Sequence, residues 1–502
     1  MTRGTRGLAL ALVAAAGCAH VGAAKPDRTA AGGSAPDRPS TAPAATGQPP
    51  PAVPGAAASS GAGTALAPPS HALVAAVDAA AARIAAASAA APDAAWDRLV
   101  DLVDHHERRI TGSASLEDAL RWAVARMRDD GLTRVRLEPV QVPHWVRGEE
   151  HARIVRPFAR DVPVLALGGS VGTGGTIRAP LAVFDDLDAL RKTTRSLADT
   201  IVLVNHRMAP FDEAHDDPGY MEGVQARLHA ASAAAQHGAR AVLVRSVTAT
   251  SLATLHTGAL DYADDLPKIP AASVTIEDAE MLMRIAHRGP VEVELFLGAR
   301  ELPPAPSANA IGEIRGSARP EEVVLLGAHM DSWDVGPGAS DDAAGCVAIM
   351  EAMRLLRASG LVPKRTIRAV LFTAEEYGLA GANDYGRRHG KEAHVAAFET
   401  DYGMGAPDAI GVGGGPEAFQ AMTPFLPAFE RFGIRRFRDR AFGADVAPIV
   451  RTGAAAFSLQ PDGHHYFDTH HTAADTLDKI RPDDLRRNAA AIALLAHVLA
   501  TR

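Results

Sequence analysis

Hydrophobic and polar positions divide the chain into stretches of different texture. From 71 to 90, Leu73, Val74, Val77 and Ile84 recur at helical spacing in an alanine-rich background. Over 94 to 108, Trp96, Leu99, Leu102 and Val103 share one helical face. A turn at Thr111-Gly112-Ser113 leads into a helix predicted over 116 to 130, which carries Leu116, Leu120, Trp122, Ala123 and Met127 and is capped by Gly131. The run VRLEPVQVPHW then alternates as a strand does. Between 163 and 300, short β-like runs (LAVFDD, TIVLVNH, AVLVRS, PAASVT, VEVELFLG) alternate with glycine turns and one long alanine-rich helix at 222 to 237. From 321 the pattern becomes strand, loop, helix. EEVVLLGAH reads as a buried strand, and 342 to 356 as a helix with Cys346, Ile349, Met353 and Leu356 facing inward. TIRAVLFTA and HVAAFETD are the next strands. Strands alternating with helices predict an α/β fold, a mostly parallel sheet flanked by helices. The stretch 163 to 300 is expected to be a β-rich domain inserted between an N-terminal part of the main domain (71 to 162) and its larger part (301 to 502).

Composition changes the picture mainly at the start. Of 502 residues, 47% are hydrophobic, but alanine in the first 90 inflates that figure, so the true core is smaller. Arg3 and Arg6 followed by the apolar run Leu8 to Ala16 read as an export signal. That run is too short to span a bilayer. It ends in Ala15-Ala16-Gly17-Cys18, which resembles a bacterial lipoprotein cleavage box and makes Cys18 the lipidated first residue of the mature chain. The competing reading is ordinary cleavage near Ala23-Ala24. Residues 19 to 70 are Ala, Pro, Gly and Ser with almost no large apolar side chain, and are expected to be a disordered tether. No later segment is expected to cross a membrane, so membrane contact is confined to the lipid anchor of an exported, envelope-bound, periplasmic or secreted protein. A net charge of −8 without a basic block argues against nucleic acid as a partner. Two cysteines, Cys18 and Cys346, exclude a disulfide scaffold and a cysteine-based zinc site.

The candidate chemistry lies in four fragments: GAHMDSWDVGPGASDDAAG from 327, TAEEYG, FETDYG and HHTAADT. In chain order they supply His329, Asp341, Glu376, Asp401 and a histidine of the pair 470–471, a ligand set for two zinc ions sharing one carboxylate. Three carboxylates and a bridging hydroxide balance the four positive charges. His329, Glu375-Glu376 and Asp401 each follow a predicted strand directly, and parallel sheets bind ligands at the carboxyl ends of their strands. Glu375 is spare and free to move a proton from water to the leaving amine. Asp331 is expected to hold the other nitrogen of His329. Asp342 is expected to cap the following helix. Tyr466 has two readings, a donor to the tetrahedral oxyanion or a tyrosine packed under the loop. Each fragment alone is an ordinary surface motif; order, spacing and strand-end placement together carry the argument.

These motifs, with ITGSASLEDALRWAVARMRDDGL and EPVQVPHWVRGEE, resemble the di-zinc aminopeptidases and carboxypeptidases, most closely the plasma glutamate carboxypeptidase (carboxypeptidase Q) type, from about residue 90 to the end. The resemblance implies a zinc exopeptidase acting on short peptides, with His329 and Asp401 on one ion, Glu376 and His471 on the other, and Asp341 between them. It implies Glu375 as general acid and base. His471 is preferred to His470 because His471-Thr472 through Asp475-Thr476 matches the family pattern, which also places Asp475 beside the site. The 163 to 300 insert becomes a protease-associated domain, and a homodimer is a further expectation. Two alternatives share the fold: a receptor-like protein without metals, and a glutaminyl cyclase-like acyltransferase. The intact ligand set argues against the first, and the family-like flanks against the second.

Overall fold

A computed structural model describes residues 68–502. The export signal, Cys18 and nearly all of the expected tether lie outside the described residues.

The main sheet has eight strands. Its four central ones run parallel, in the order Arg365–Phe372, Arg319–His329, Ala393–Glu399 and Ala455–Gln460. Antiparallel strands extend both sides: Arg300–Ile314 then Thr133–Val146 on one, Ala409–Val412 on the other, with Arg436–Arg438 beyond it. Central strands read VVLL, AVLF and AAF because both their faces are covered. The helices His71–Ala90, Ala94–His105, Ala114–Asp129, Ala344–Ala358 and Pro482–Thr501 share one apolar cluster with one face of the sheet. Ala380–His389 and Ala447–Val450 cover the other. Cys346, Ile349, Met353 and Leu356 point inward as the periodicity requires.

Three local expectations are corrected. The helix expected from Asp342 begins at Ala344, after a single wide turn over Ala339–Ala343. Asp342 therefore does not cap it; the cap position is Ala343, without a side-chain bond, and the Asp342 carboxylate instead accepts from the His329 N–H at 3.2 Å. The helix His71–Ala90 is, by length and apolarity, long enough to cross a bilayer, contrary to the expectation that no later segment is. Alanine supplies that apolarity, and the helix packs Val77, Ala80, Ala81 and Ile84 into the main core.

Residues 150 to 297 build a second eight-stranded sheet. It starts ahead of the expected boundary, because Glu150–Arg156 pairs with Glu292–Leu297. Its parallel centre is Ile177–Phe184, Ile201–Val204, Ala241–Arg245 and Ala271–Val274, with the helix Tyr220–Gln236 packed against it. It has apolar clusters of its own, and Trp333, from the loop after His329, inserts into one of them.

Candidate active site

Three adjacent parallel strands end at the same edge. His329 closes Arg319–His329 and lies level with Phe372, while Gly327 two residues earlier lies level with Glu399. The chain turns sharply at Ala374, whose φ is +62°, immediately before Glu375 and Glu376. Asp401 follows two residues after Glu399. Asp341, in the wide turn, and His471, in the loop after the short helix Tyr466–Thr469, approach from outside the sheet.

Asp341 lies between two histidines. Its Oδ1 is 3.3 Å from His329 Nε2, and its Oδ2 is 3.3 Å from His471 Nε2. His329 Nε2 is also 3.3 Å from Asp401 Oδ1, and His471 Nε2 is 3.0 Å from Glu376 Oε2. Two ligand atoms about 2.0–2.1 Å from one zinc ion at a tetrahedral angle stand about 3.3 Å apart. The residues therefore fit two zinc ions. Glu376 Oε1 and Asp342 Oδ1 are buried without a hydrogen bond, as is Asp341 Oδ2, a costly arrangement unless a cation sits nearby. Spacing also allows two other triads, Asp341 with His470 and His471, and His329 with Asp342 and Asp401. His470, which the sequence reading set aside, has its Nε2 3.4 Å from Asp341 Oδ2 and stacks on His471 with ring centroids 3.6 Å apart. Asp342 has one oxygen committed to the His329 N–H.

Electrostatics point the same way. Burial opposes charge on His329, but Asp401 and Asp341 outweigh it and lift the imidazole well above its usual range. Burial likewise opposes charge on His471, yet Glu376 and Asp341 raise it to about 9. Burial and the Asp341 charge push Glu376 up to about 7. Burial, with Asp401 and Glu376, pushes the Glu375 carboxyl well above the carboxylate range. Too many carboxylates for the available protons is the environment a divalent cation relieves.

The supporting residues differ in detail from expectation. His329 Nδ1 is 3.0 Å from the Asp331 backbone carbonyl, while its distance to the Asp331 carboxylate is 3.8 Å. The carboxylate instead accepts from the N–H groups of Glu375 (3.1 Å) and Glu376 (3.2 Å) and from the Thr111 hydroxyl (3.0 Å). Asp331 thus holds the turn carrying both glutamates. Asp475 accepts from the N–H groups of Ser340 (2.8 Å) and Asp341 (3.1 Å), which fixes the turn bearing the central carboxylate. Tyr466 packs among Tyr402, Phe467 and His470. It is also near enough to Asp341 and Asp401 for their charges to add to burial in pushing its phenol up. Sequence reasoning missed Arg109 entirely. This fully buried guanidinium donates to the carbonyls of Met330, Pro337, Gly338 and His106, and so staples the loop between His329 and Asp341. Nothing in its local sequence marks it.

Comparison with known proteins places the chain in a family. The model of peptidase family M28 matches residues 309–496, a span that includes His329, Asp341, Glu375, Glu376, Asp401 and His471. Human carboxypeptidase Q is 37% identical over 82% of this chain and 86% of its own length. The crystal structure of a peptidase M28 precursor from Shewanella amazonensis superposes with a TM-score of 0.79 at 34% identity, covering 86% of this chain and 98% of that one. A zinc aminopeptidase from Bacillus subtilis shares the fold, with a TM-score of 0.61 at 20% identity over 82% of this chain and 95% of that one. Identity sustained over most of both chains, together with a matched span that holds the whole strand-end cluster, shows that the chain belongs to peptidase family M28.

Proposed function

We propose that the protein is a zinc-dependent exopeptidase that hydrolyses short peptides with a free terminus. His329 and Asp401 would hold one ion, Glu376 and His471 the other, and Asp341 would be shared between them. The observation that carries this reading is the placement of Asp341, each of whose oxygens is 3.3 Å from a different histidine. Zinc held there would supply Lewis acidity toward the scissile carbonyl and a water acidic enough to ionise near neutral pH. The chain's own residues do the rest. Glu375, with its carboxyl raised by burial and by Asp401, takes the proton of the attacking water and delivers it to the leaving amine nitrogen. Tyr466 donates its hydroxyl to the oxyanion that forms on the carbonyl. Asp331 aims the glutamate turn, and Asp475 holds the Asp341 turn. The second sheet is read as an inserted protease-associated-like domain that shields the cleft. Export with a lipid on Cys18, and a homodimer, complete the reading; mass spectrometry of the mature N-terminus and sedimentation test them.

The decisive experiment counts zinc in the purified full chain and in Glu375→Ala, and assays both on unblocked dipeptides and amino-acid anilides. Two zinc ions in each, with turnover only in the wild type, supports the assignment, and the preferred substrate separates dipeptidase from aminopeptidase. Folded wild type that takes up no zinc and turns nothing over defeats it in favour of a receptor-like role.

A further inference from the structure

Every ligand proposed above comes from the main domain, but one of them is held from outside it. His471 has a left-handed backbone, with φ +61°, a conformation uncommon for a residue with a Cβ. Thr257, in the second-sheet unit, meets it with two backbone contacts. The Thr257 N–H donates to the His471 carbonyl at 3.0 Å, and the Thr257 carbonyl is 3.3 Å from His471 Nδ1. Arg227, on the helix Tyr220–Gln236, directs Nη1 to the same carbonyl at 3.4 Å and lies 3.3 Å from the ring nitrogen.

Donor chemistry decides what this means. A histidine that offers Nε2 to a metal carries its proton on Nδ1 and needs an acceptor there. Guanidinium has donors only, so Arg227 cannot supply that acceptor. The Thr257 carbonyl can, and its two lone pairs accommodate both the imidazole N–H and the guanidinium. Arg227 is 7% exposed, its Nε has no hydrogen bond, and its charge lies over the Tyr220 ring at 5.7 Å. A buried cation left partly unsatisfied is not explained by packing alone. The contact has no slack: a Cβ added at Gly258, where φ is +129°, would lie 2.3 Å from Arg227 Nη1. Thr257 is tied back in turn, since its hydroxyl donates to Ala166 O at 3.1 Å and accepts from Arg147 at 3.4 Å. Arg147 pairs with Asp334, on the loop that follows His329.

We propose that Arg227 and Thr257 are positioning residues: the Thr257 carbonyl sets the ring orientation and tautomer of His471, and Arg227, by donating to that carbonyl, holds it in place, so that binding of the Glu376–His471 zinc depends on the second-sheet unit. This rests on the zinc exopeptidase reading.

The test uses the full chain as wild type, Arg227→Met, Arg227→Lys, Gly258→Ala and Thr275→Ala. Zinc affinity is read by chelator competition, site geometry by the absorption of cobalt-substituted protein, and fold by the unfolding midpoint. Arg227→Met and Gly258→Ala should weaken one zinc about 10- to 100-fold, leave the other at wild-type affinity, and change one cobalt spectrum. Arg227→Lys, which keeps a donor for the Thr257 carbonyl, should recover part of the loss. Thr275 caps the helix Ile276–Ala286, so Thr275→Ala should lower the midpoint without altering either zinc. Two zinc ions bound normally in Arg227→Met and Gly258→Ala overturn the proposal, as does parallel loss of both ions in step with the midpoint. A failure of Arg227→Met to fold leaves the Lys and Gly258 variants to decide. Wild type without zinc overturns the function itself, which separates the two failures.

Discussion

Replacing Arg109 with methionine keeps the buried stem and removes the guanidinium, taking a donor from four main-chain carbonyls, of which, among the described residues, only Gly338 O keeps another, the Ala343 N–H at 3.3 Å. The lost bonds run from Nε to Met330 O (2.7 Å), from Nη1 to Pro337 O (2.7 Å) and His106 O (3.1 Å), and from Nη2 to Gly338 O (3.0 Å). At about 1–1.5 kcal/mol each, these bonds amount to about 4–6 kcal/mol. Relief from burying a cation offsets part of this, and about 3–5 kcal/mol of destabilisation is expected. The loop concerned joins His329 to Asp341, so affinity for both zinc ions should fall, unlike the selective loss expected at Arg227. Urea unfolding followed by tryptophan fluorescence, with and without zinc, measures the first effect, and chelator competition the second. Arg109→Lys keeps the charge but not the fork, and should fall between the two proteins. A change in Arg109→Met below about 1 kcal/mol, with both zinc ions held normally, would refute the stapling argument.

Other predictions concern single groups. Glu375→Gln should lower kcat by about 10²–10⁴-fold while both zinc ions remain, and unchanged turnover would remove the glutamate from the proton path. Asp475→Ala releases the N–H groups of Ser340 and Asp341 and should weaken zinc about 10- to 100-fold by titration calorimetry; normal affinity would show that the turn holds itself. Outside the candidate site, His389 bridges Glu138 (2.8 Å) and Glu392 (2.6 Å). Burial opposes its charge, but the two carboxylates raise its pKa, while His389 and Arg136 overcome burial to hold Glu138 down at about 2. The histidine's contribution to stability is full below about pH 6.5 and is lost as pH rises through its raised value. That of Glu138 is present above about pH 4.5 and is lost as pH falls toward about 2. The unfolding midpoint of wild type should therefore exceed that of His389→Gln most between about pH 5 and 6.5 and converge on it at alkaline pH. A difference independent of pH would contradict the linkage.

Much of this protein was legible in its sequence. The central strands are continuous apolar runs because both faces of a parallel sheet are covered, and such runs separated by amphipathic helices fix the fold class. His329, Glu375, Glu376 and Asp401 sit just past those runs, so their gathering at one edge follows from parallel strands alone. The antiparallel strand Arg300–Ile314 was less visible. Its prolines Pro303 and Pro304 interrupt the pattern, and lie outside the stretch Ala310–Ile314 that pairs with Arg365–Phe372. Sequence also could not show that Asp331 serves the glutamate turn, that Asp342 bonds His329 rather than capping a helix, or that His470 stacks on His471 beside Asp341. Arg109 and Gly338 are 229 positions apart, and Thr257 and His471 are 214. Periodicity reports which face of an element is buried, and a motif reports residues close in the chain. A hydrogen bond between distant loops depends on donor direction after both have packed, and leaves no repeating trace in either segment. The sequence by itself determined the sheet and the residues at its edge, while the tertiary structure alone decided what holds them in place.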